Sequence, residues 1–263
     1  PLLLIALGLV VAFRGQLWNL GYGAQFLLGA VVVSGFGPAL LETVPGLAGA
    51  LVLLAGSVLA GAAWTLLPAL LKARYGTNEI ITSLVMSFIG VGVVNLLIKG
   101  PLRDASQPIP QTRVLPASDM LPYIAGTRIH MGVVVALLVA VVLHILLSRT
   151  SWGLRTDVFG ASPRTAVHVG IRPTRMVLLL FAISGGLIGL AGGIDMLGHE
   201  AYQRANWDPG YGMAMLPFVF LARLHPLAVI PFAWFYAVLA TGGVLAARQT
   251  GLHVDFLLVI VGL

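Results

Sequence analysis

Three ionisable residues crowd an otherwise apolar stretch: Asp195, His199 and Glu200, in the run GGIDMLGHEAYQ. On a helix the first two lie one turn apart on one face, the spacing with which HExxH helices hold zinc. The second histidine is missing, because the run continues HEAYQ. The expectation is therefore a solvated outer helix end with charged side chains extended to water, and no metal site. Amides are the other chemistry available. Asn19 and Gln25 flank the glycine-rich stretch NLGYGAQ, and Asn95 lies within a later apolar run. Such side chains donate and accept hydrogen bonds without charge, which suits contact with hydroxyls or a nucleobase; the competing reading is hydrogen bonding between helices. His144, alone in its apolar run, reads as a neutral packed imidazole. Glu79 reads as an interfacial helix cap beside Arg74, since acids favour a helix's first turn.

The remaining chemistry is cationic. Trp152 to Arg175 reads WGLRTDVFGASPRTAVHVGIRPTR, a loop carrying Arg155, Arg164, Arg172 and Arg175. Ser162 can cap a helix, Pro163 suits its first position, Gly170 supplies a left-handed stop and Pro173 lies just beyond. These signals predict a helix of about two turns over Pro163–Val169, too short to persist alone in water. Two roles compete for it: an interfacial linker whose arginines meet anionic lipid heads, or a rod that docks on a water-soluble partner.

The elements that must position these groups follow from composition. Hydrophobic residues make up 59% of the 263 and charged residues 9%, against about 25% charged in soluble domains. Such a chain needs the bilayer as solvent. Apolar runs cover Leu2–Phe13, Ala24–Leu41, Gly46–Leu71, Ile80–Ile98, Met131–Leu147, Met176–Leu197, Leu227–Ala247 and Val254–Leu263. Tyr211–Leu221 is apolar but short, as a half-span or re-entrant segment would be. Backbone groups in lipid must pair internally, so the runs are expected to be helices, and the alternation of a barrel strand is absent. The predicted class is an all-α membrane protein: a polytopic helix bundle with a short cytoplasmic helix and a half-span. Residues 1–263 read as a single transmembrane domain cut at both ends.

Basic residues orient the bundle. Arg149 to Arg175, and Lys72 with Arg74 two spans earlier, can both be cytoplasmic. The connection from Lys99 to His130 then faces outward, with Lys99, Arg103, Arg113 and Arg128. Its prolines, Pro101, Pro108, Pro110, Pro116 and Pro122, oppose regular helix. Gly185, Gly189 and Gly193 recur every fourth residue, which lets another helix approach closely. Tight packing within the chain is the expectation, with a dimer interface as the alternative. The net charge of +6 lies in short loops between apolar runs, so nucleic acid is not an expected partner. There are no cysteines, and no GxxxxGK[ST], GxSxG or HExxH motif; GYGAQF lacks the third glycine of a dinucleotide loop.

GASPRTAVHVGI followed by ISGGLIGLAGGI resembles the coupling-helix region of bacterial ATP-binding-cassette importer permeases, the group that handles simple sugars, nucleosides and branched-chain amino acids. NLGYGAQFLLGA, YGTNEIITSLVMSFI, KGPLRD and PGYGMAMLPFVFLARLHPLAVI support the resemblance in the expected order, and TNEIITSLV and GPLRD are most similar to the nucleoside and simple-sugar branch. The resemblance implies a translocation subunit of the bacterial inner membrane with no ATPase site and no cofactor of its own. ATP and Mg would belong to cytoplasmic ATP-binding subunits. A second identical or homologous permease, an extracytoplasmic substrate-binding protein and membrane lipid would be the other partners. Coupling to the ATPase would fall on Gly160, Ala161, Ser162, Pro163, Arg164, Ala166 and Gly170, with Arg164 the polar contact. The solute pathway would involve Asn19, Gln25, Asn95 and Ser87, the last standing where the family often has asparagine. Gly23 stands where it often has an acid, and Pro217 interrupts a segment usually without proline. The alternatives are an ion-coupled secondary transporter, which needs intramembrane acids or histidines that the long runs lack, or a branched-chain amino acid permease.

Overall fold

The computed structural model describes residues 1–124 and 129–250. The run Val254–Leu263 and the expected outer base Arg128 lie outside the described residues. Each remaining apolar run forms a helix: α1 Leu2–Arg14, α2 Tyr22–Thr43, α3 Leu47–Tyr75, α4 Glu79–Lys99, α5 Gly132–Arg149, α8 Pro173–Asp195, α9 Tyr211–Leu221 and α10 Val229–Thr250. Between α5 and α8 lie α6, Ser151–Ala161, and α7, Pro163–His168. Among the described residues, five helices are long and apolar enough to cross a membrane. The chain is an all-α, multi-pass membrane protein.

The core is built on α8, which packs against α1, α2 and α3. Glycine makes these approaches possible. A Cβ on Gly189 would run into the Ser57 carbonyl of α3, one on Gly185 into the Gly61 carbonyl, and one on Gly193 into the Ser57 hydroxyl. From the other side, a Cβ on Gly29 of α2 would strike the Gly189 backbone. Backbones this close gain dispersion contacts that bulkier residues forfeit. Hydroxyls join them: Ser57 donates to the Gly29 carbonyl at 2.8 Å, and Thr65 reaches the Phe181 carbonyl at 3.1 Å. The glycine spacing therefore serves packing inside the chain.

Two segments leave regular helix within the bundle. α1 ends at Arg14, and residues 15–21 turn back inward, so that Asn19 meets Ser184 near the middle of α8. α8 ends in a π-turn, Met196–Glu200, after which the chain descends as coil to the start of α9. That descent is marked by Gln203 at Ser34, then Trp207 at Phe26, along α2. Phe220, at the far end of α9, stacks on Phe13 with ring centres 5.1 Å apart. The expected half-span thus covers the basic half of the bundle, and the coil above it covers the other.

Among its described residues, the proline-rich connection from Lys99 holds one short 3-10 turn, Ala117–Asp119. Its backbone is strapped over the end of α8: Thr112 N–H donates to the Gln203 carbonyl, Leu115 to Ala201 and Leu121 to Leu197, at 2.7–3.0 Å.

Candidate functional site

Asn19 and Gln25 are both buried. Asn19 Nδ2 donates to Gln25 Oε1 at 3.0 Å, and Gln25 Nε2 returns a bond to Asn19 Oδ1 at 2.8 Å. Asn19 Nδ2 also donates to Ser184 Oγ at 2.9 Å, and its Oδ1 accepts from Gly21 N–H at 3.1 Å. Every hydrogen-bonding valence of the Asn19 amide is used. This pair fastens the inward turn to α2 and α8, and it stands behind the surface.

In front of it runs a stripe on α4. Ser83, Ser87 and Asn95 are spaced by four and eight residues and so share a face. Ser83 Oγ accepts from Leu20 N–H at 3.1 Å, and Ser87 Oγ accepts from Ala24 N–H at 3.3 Å. α4 thereby satisfies backbone donors that the interrupted α1–α2 connection leaves free. Asn95 Oδ1 accepts from Asn206 N–H at 2.6 Å, which pins the descending coil to the same helix. The four sequence-derived candidates are therefore not one constellation. Asn19 and Gln25 are interior, while Ser87 and Asn95, both partly exposed, border an open face.

The coil adds the residues that motif reasoning missed: Asn206, Trp207 and Asp208. Trp207 and Tyr211 both pack on Phe26, at 5.9 and 5.6 Å between ring centres. Tyr22 lies over Gly212 and donates to the Met213 sulfur at 3.5 Å. The shortness of Tyr211–Leu221 was the available signal, since a half-span requires irregular chain beside it. Backbone without regular structure at membrane depth persists only where protein buries it or where it lines a watered cavity. With Asn206 and Asp208 exposed and Trp207 half-buried, this coil offers an aromatic and polar wall.

At the basic end, Arg14 holds Asp157 through Nε at 2.6 Å and Nη2 at 2.9 Å, a two-point pair joining α1 to α6. Gly160 seats α6 on α1, where a Cβ would crowd the Arg14 carbonyl. The stretch Trp152–Ala161, expected as loop, is helical because Thr150 caps it by accepting from Trp152 N–H at 3.2 Å and this seat supports it. Ser162 then caps α7, accepting from Thr165 N–H at 3.2 Å, with Pro163 in its first turn. α7 ends at His168, one residue short of expectation, before Gly170 at φ +78°. Ala166 is its buried anchor, while Ala161, Arg164, Val167 and His168 are exposed.

Three further expectations change. Asp195 is only 2% exposed, so it is no solvated helix end; the strapped proline-rich connection covers the end of α8. His199 turns to Glu200 at 3.9 Å instead, and among the described residues no group of three metal-ligating side chains converges. Glu79 pairs with Lys72 at 2.8 Å and not with Arg74, because α3 and α4 meet there, and Asn78 supplies the cap. His144 is not alone: its ring centre lies 5.0 Å from that of His225, in the turn after α9. Burial first, then His144 and Arg14, lower the pKa of His225 below the usual histidine range.

Comparison with known proteins accords with this arrangement. The chain is 29% identical to the glucose ABC transporter permease protein TsgB13 of Haloferax volcanii, over 92% of this chain and 66% of that protein. It is 29% identical to the guanosine ABC transporter permease protein NupP of Bacillus subtilis, over 77% of this chain and 58% of that protein. With the nucleoside ABC transporter permease protein NupB of Lactococcus lactis it shares 28% identity over 92% of this chain and 69% of the relative. The chain thus spans about two thirds of the length of the curated relatives it matches. No solved structure matches it. The model of the permease component of branched-chain amino acid transport systems matches residues 1–263, and the chain belongs to that family.

Proposed function

We propose that the chain is the translocation subunit of an ATP-binding-cassette importer in a bacterial inner membrane, moving a small polar solute. Nucleosides and simple sugars are the favoured class, on the strength of the relatives' names. The observation that carries the reading is α7: a capped six-residue helix on a rigid mount, presenting Arg164 beside an exposed Val167. Arginine next to exposed apolar surface is the composition of a protein interface. A cytoplasmic ATP-binding subunit with its Mg would dock there and supply the energy. The single permease unit of residues 1–263 would act beside a second permease, and an extracytoplasmic binding protein would deliver solute to the outer connection.

The pathway would run along the open wall. Trp207 and Tyr22 offer ring faces to a base or sugar ring, and Ser87, Asn95, Asn206 and Asp208 border them with hydrogen-bonding groups. Asn19 and Gln25 hold the wall's shape from behind. Guanosine and glucose uptake into vesicles containing the permease, its homologous partner and the ATPase tests this. ATP inside the assay should drive uptake, and Arg164→Glu should abolish it while leaving the permease in the membrane. Uptake that persists without ATP and collapses with an ionophore would overturn the reading in favour of ion coupling.

A further inference from the structure

The arginines of the basic end divide into two groups. Arg164 stands on α7, whereas Arg155, Arg172 and Arg175 line a cleft of about 300 Å³ between α6 and the start of α8. Among the described residues none of these three is ion-paired to a carboxylate, and the nearby Asp157 is already held by Arg14. Trp152 closes one side of the cleft, and Met176 and Leu179 form its membrane-side wall. Leu179 is 50% exposed, so the cleft opens onto the outer surface of α8. One turn further along the same face lies a second groove of about 300 Å³, lined only by Val58, Ala182, Ile183, Gly186 and Leu187. Arg175, Leu179, Ala182 and Gly186 follow one another at helical spacing. A cationic cleft and an apolar groove thus lie one turn apart on one side of one helix.

We infer that this surface holds one anionic glycerophospholipid of the bilayer, with its phosphodiester among Arg155, Arg172 and Arg175 and an acyl chain along Leu179, Ala182 and Gly186. Guanidinium groups match phosphate oxygens in charge and fork geometry. A tryptophan beside them suits the headgroup level, where amphipathic rings settle. A free phosphate or a nucleotide would use the cleft and leave the apolar groove empty. The alignment of the two grooves along one helix face therefore favours a lipid.

Native mass spectrometry of the assembled transporter, loaded with equal dioleoylphosphatidylglycerol and dioleoylphosphatidylcholine, reads the site. Wild type should retain phosphatidylglycerol preferentially. The triple variant R155Q/R172Q/R175Q should lose that preference by at least about tenfold, and Lys at all three positions should restore most of it. Ala182→Trp, which fills the groove and leaves the arginines intact, should lower retention independently. A melting temperature of the triple variant equal to wild type in phosphatidylcholine separates loss of the site from loss of the fold. Unchanged retention in both the triple variant and Ala182→Trp overturns the inference. So does displacement of the lipid by millimolar glycerol phosphate, the mark of a free-phosphate site. Loss of the ATPase subunit from the triple variant with lipid retention intact would also overturn it, making the cleft a protein-docking surface.

Discussion

The spans Glu79–Lys99 (α4) and Pro173–Glu200 (α8 with its π-turn) are equally apolar by mean hydropathy, yet 17% of the most apolar stretch of the first is buried inside the chain against 67% of that of the second. Oiliness decides that both enter the bilayer. It says nothing about what each one faces. α8 is lined with small residues that admit three neighbouring backbones, whereas α4 turns Phe88 and Leu96 outward and meets the chain along one narrower face, through Glu79, its serine–asparagine stripe, Gly90, Val94 and Ile98. A span's role is written in where it has no side chain as much as in where it has a polar one.

That contrast can be broken most sharply at a glycine. Gly189→Leu should prevent assembly or lower stability by more than about 3 kcal/mol, because its side chain would have to displace the α3 backbone. Gly92→Leu on α4, where a Cβ meets nothing within 4 Å, should stay within about 0.5 kcal/mol. Thermal melts of the detergent-purified permease compare the two, and equal losses would erase the distinction between the helices. Next in size, Asn19→Leu should cost about 2–3 kcal/mol by stranding the Gln25 amide and Gly21 N–H. The same melts on Asn19→Leu/Gln25→Leu should show less than the sum of the singles, since the partners fall together. On the open side of the molecule, Trp207→Ala should cost about 1 kcal/mol of stability, from its packing on Phe26, and weaken solute affinity by about tenfold. Equilibrium binding of labelled guanosine and glucose to the reconstituted complex measures this, and unchanged affinity for both would remove Trp207 from the pathway.

Two smaller effects probe the basic end. Ser162→Ala should cost about 1 kcal/mol of local stability at α7. Faster amide exchange at Thr165, with the membrane core unchanged, is the expected signature. His225 binds its proton less readily when folded, so the unfolded chain takes up more protons as pH falls through its ordinary pKa of 6.5. Its contribution is thus present above that pH and lost progressively below it. In the pH dependence of the melting temperature, His225→Asn should flatten the acid limb slightly and leave the neutral range alone.

Much of this is legible in the sequence. Long apolar runs admit one backbone solution in lipid, so the spans matched to within a few residues. The α7 signals are local, and Ser162, Pro163 and Gly170 act where they stand. The glycine triplet also declared close packing, though not which helix approached. Illegible parts depended on distant partners. Asp195 looks like a wet helix end until Leu121 and Leu115 are seen strapped above it. Glu79 chose Lys72 over Arg74 because helix phase, not sequence proximity, sets which base faces it. Trp207 carried no motif, and its place beside Phe26 follows from a coil threaded down the bundle. The amide pair was visible as two amides, but whether they meet a solute or each other is a tertiary fact.

The seat of α6 on α1 bears on how a push at α7 would travel. Arg14 grips Asp157 at two points and Gly160 rests on the Arg14 carbonyl, so α6 is clamped to a helix that runs alongside α8. The stub beyond it is therefore a short lever with two bearings, one through α6 and one through Ile171, whose N–H bonds the Ala166 carbonyl at 2.9 Å. A load on its tip cannot be absorbed by bending a slack linker. It would pass instead to the spans that α6 and α7 touch, α1, α5 and α8.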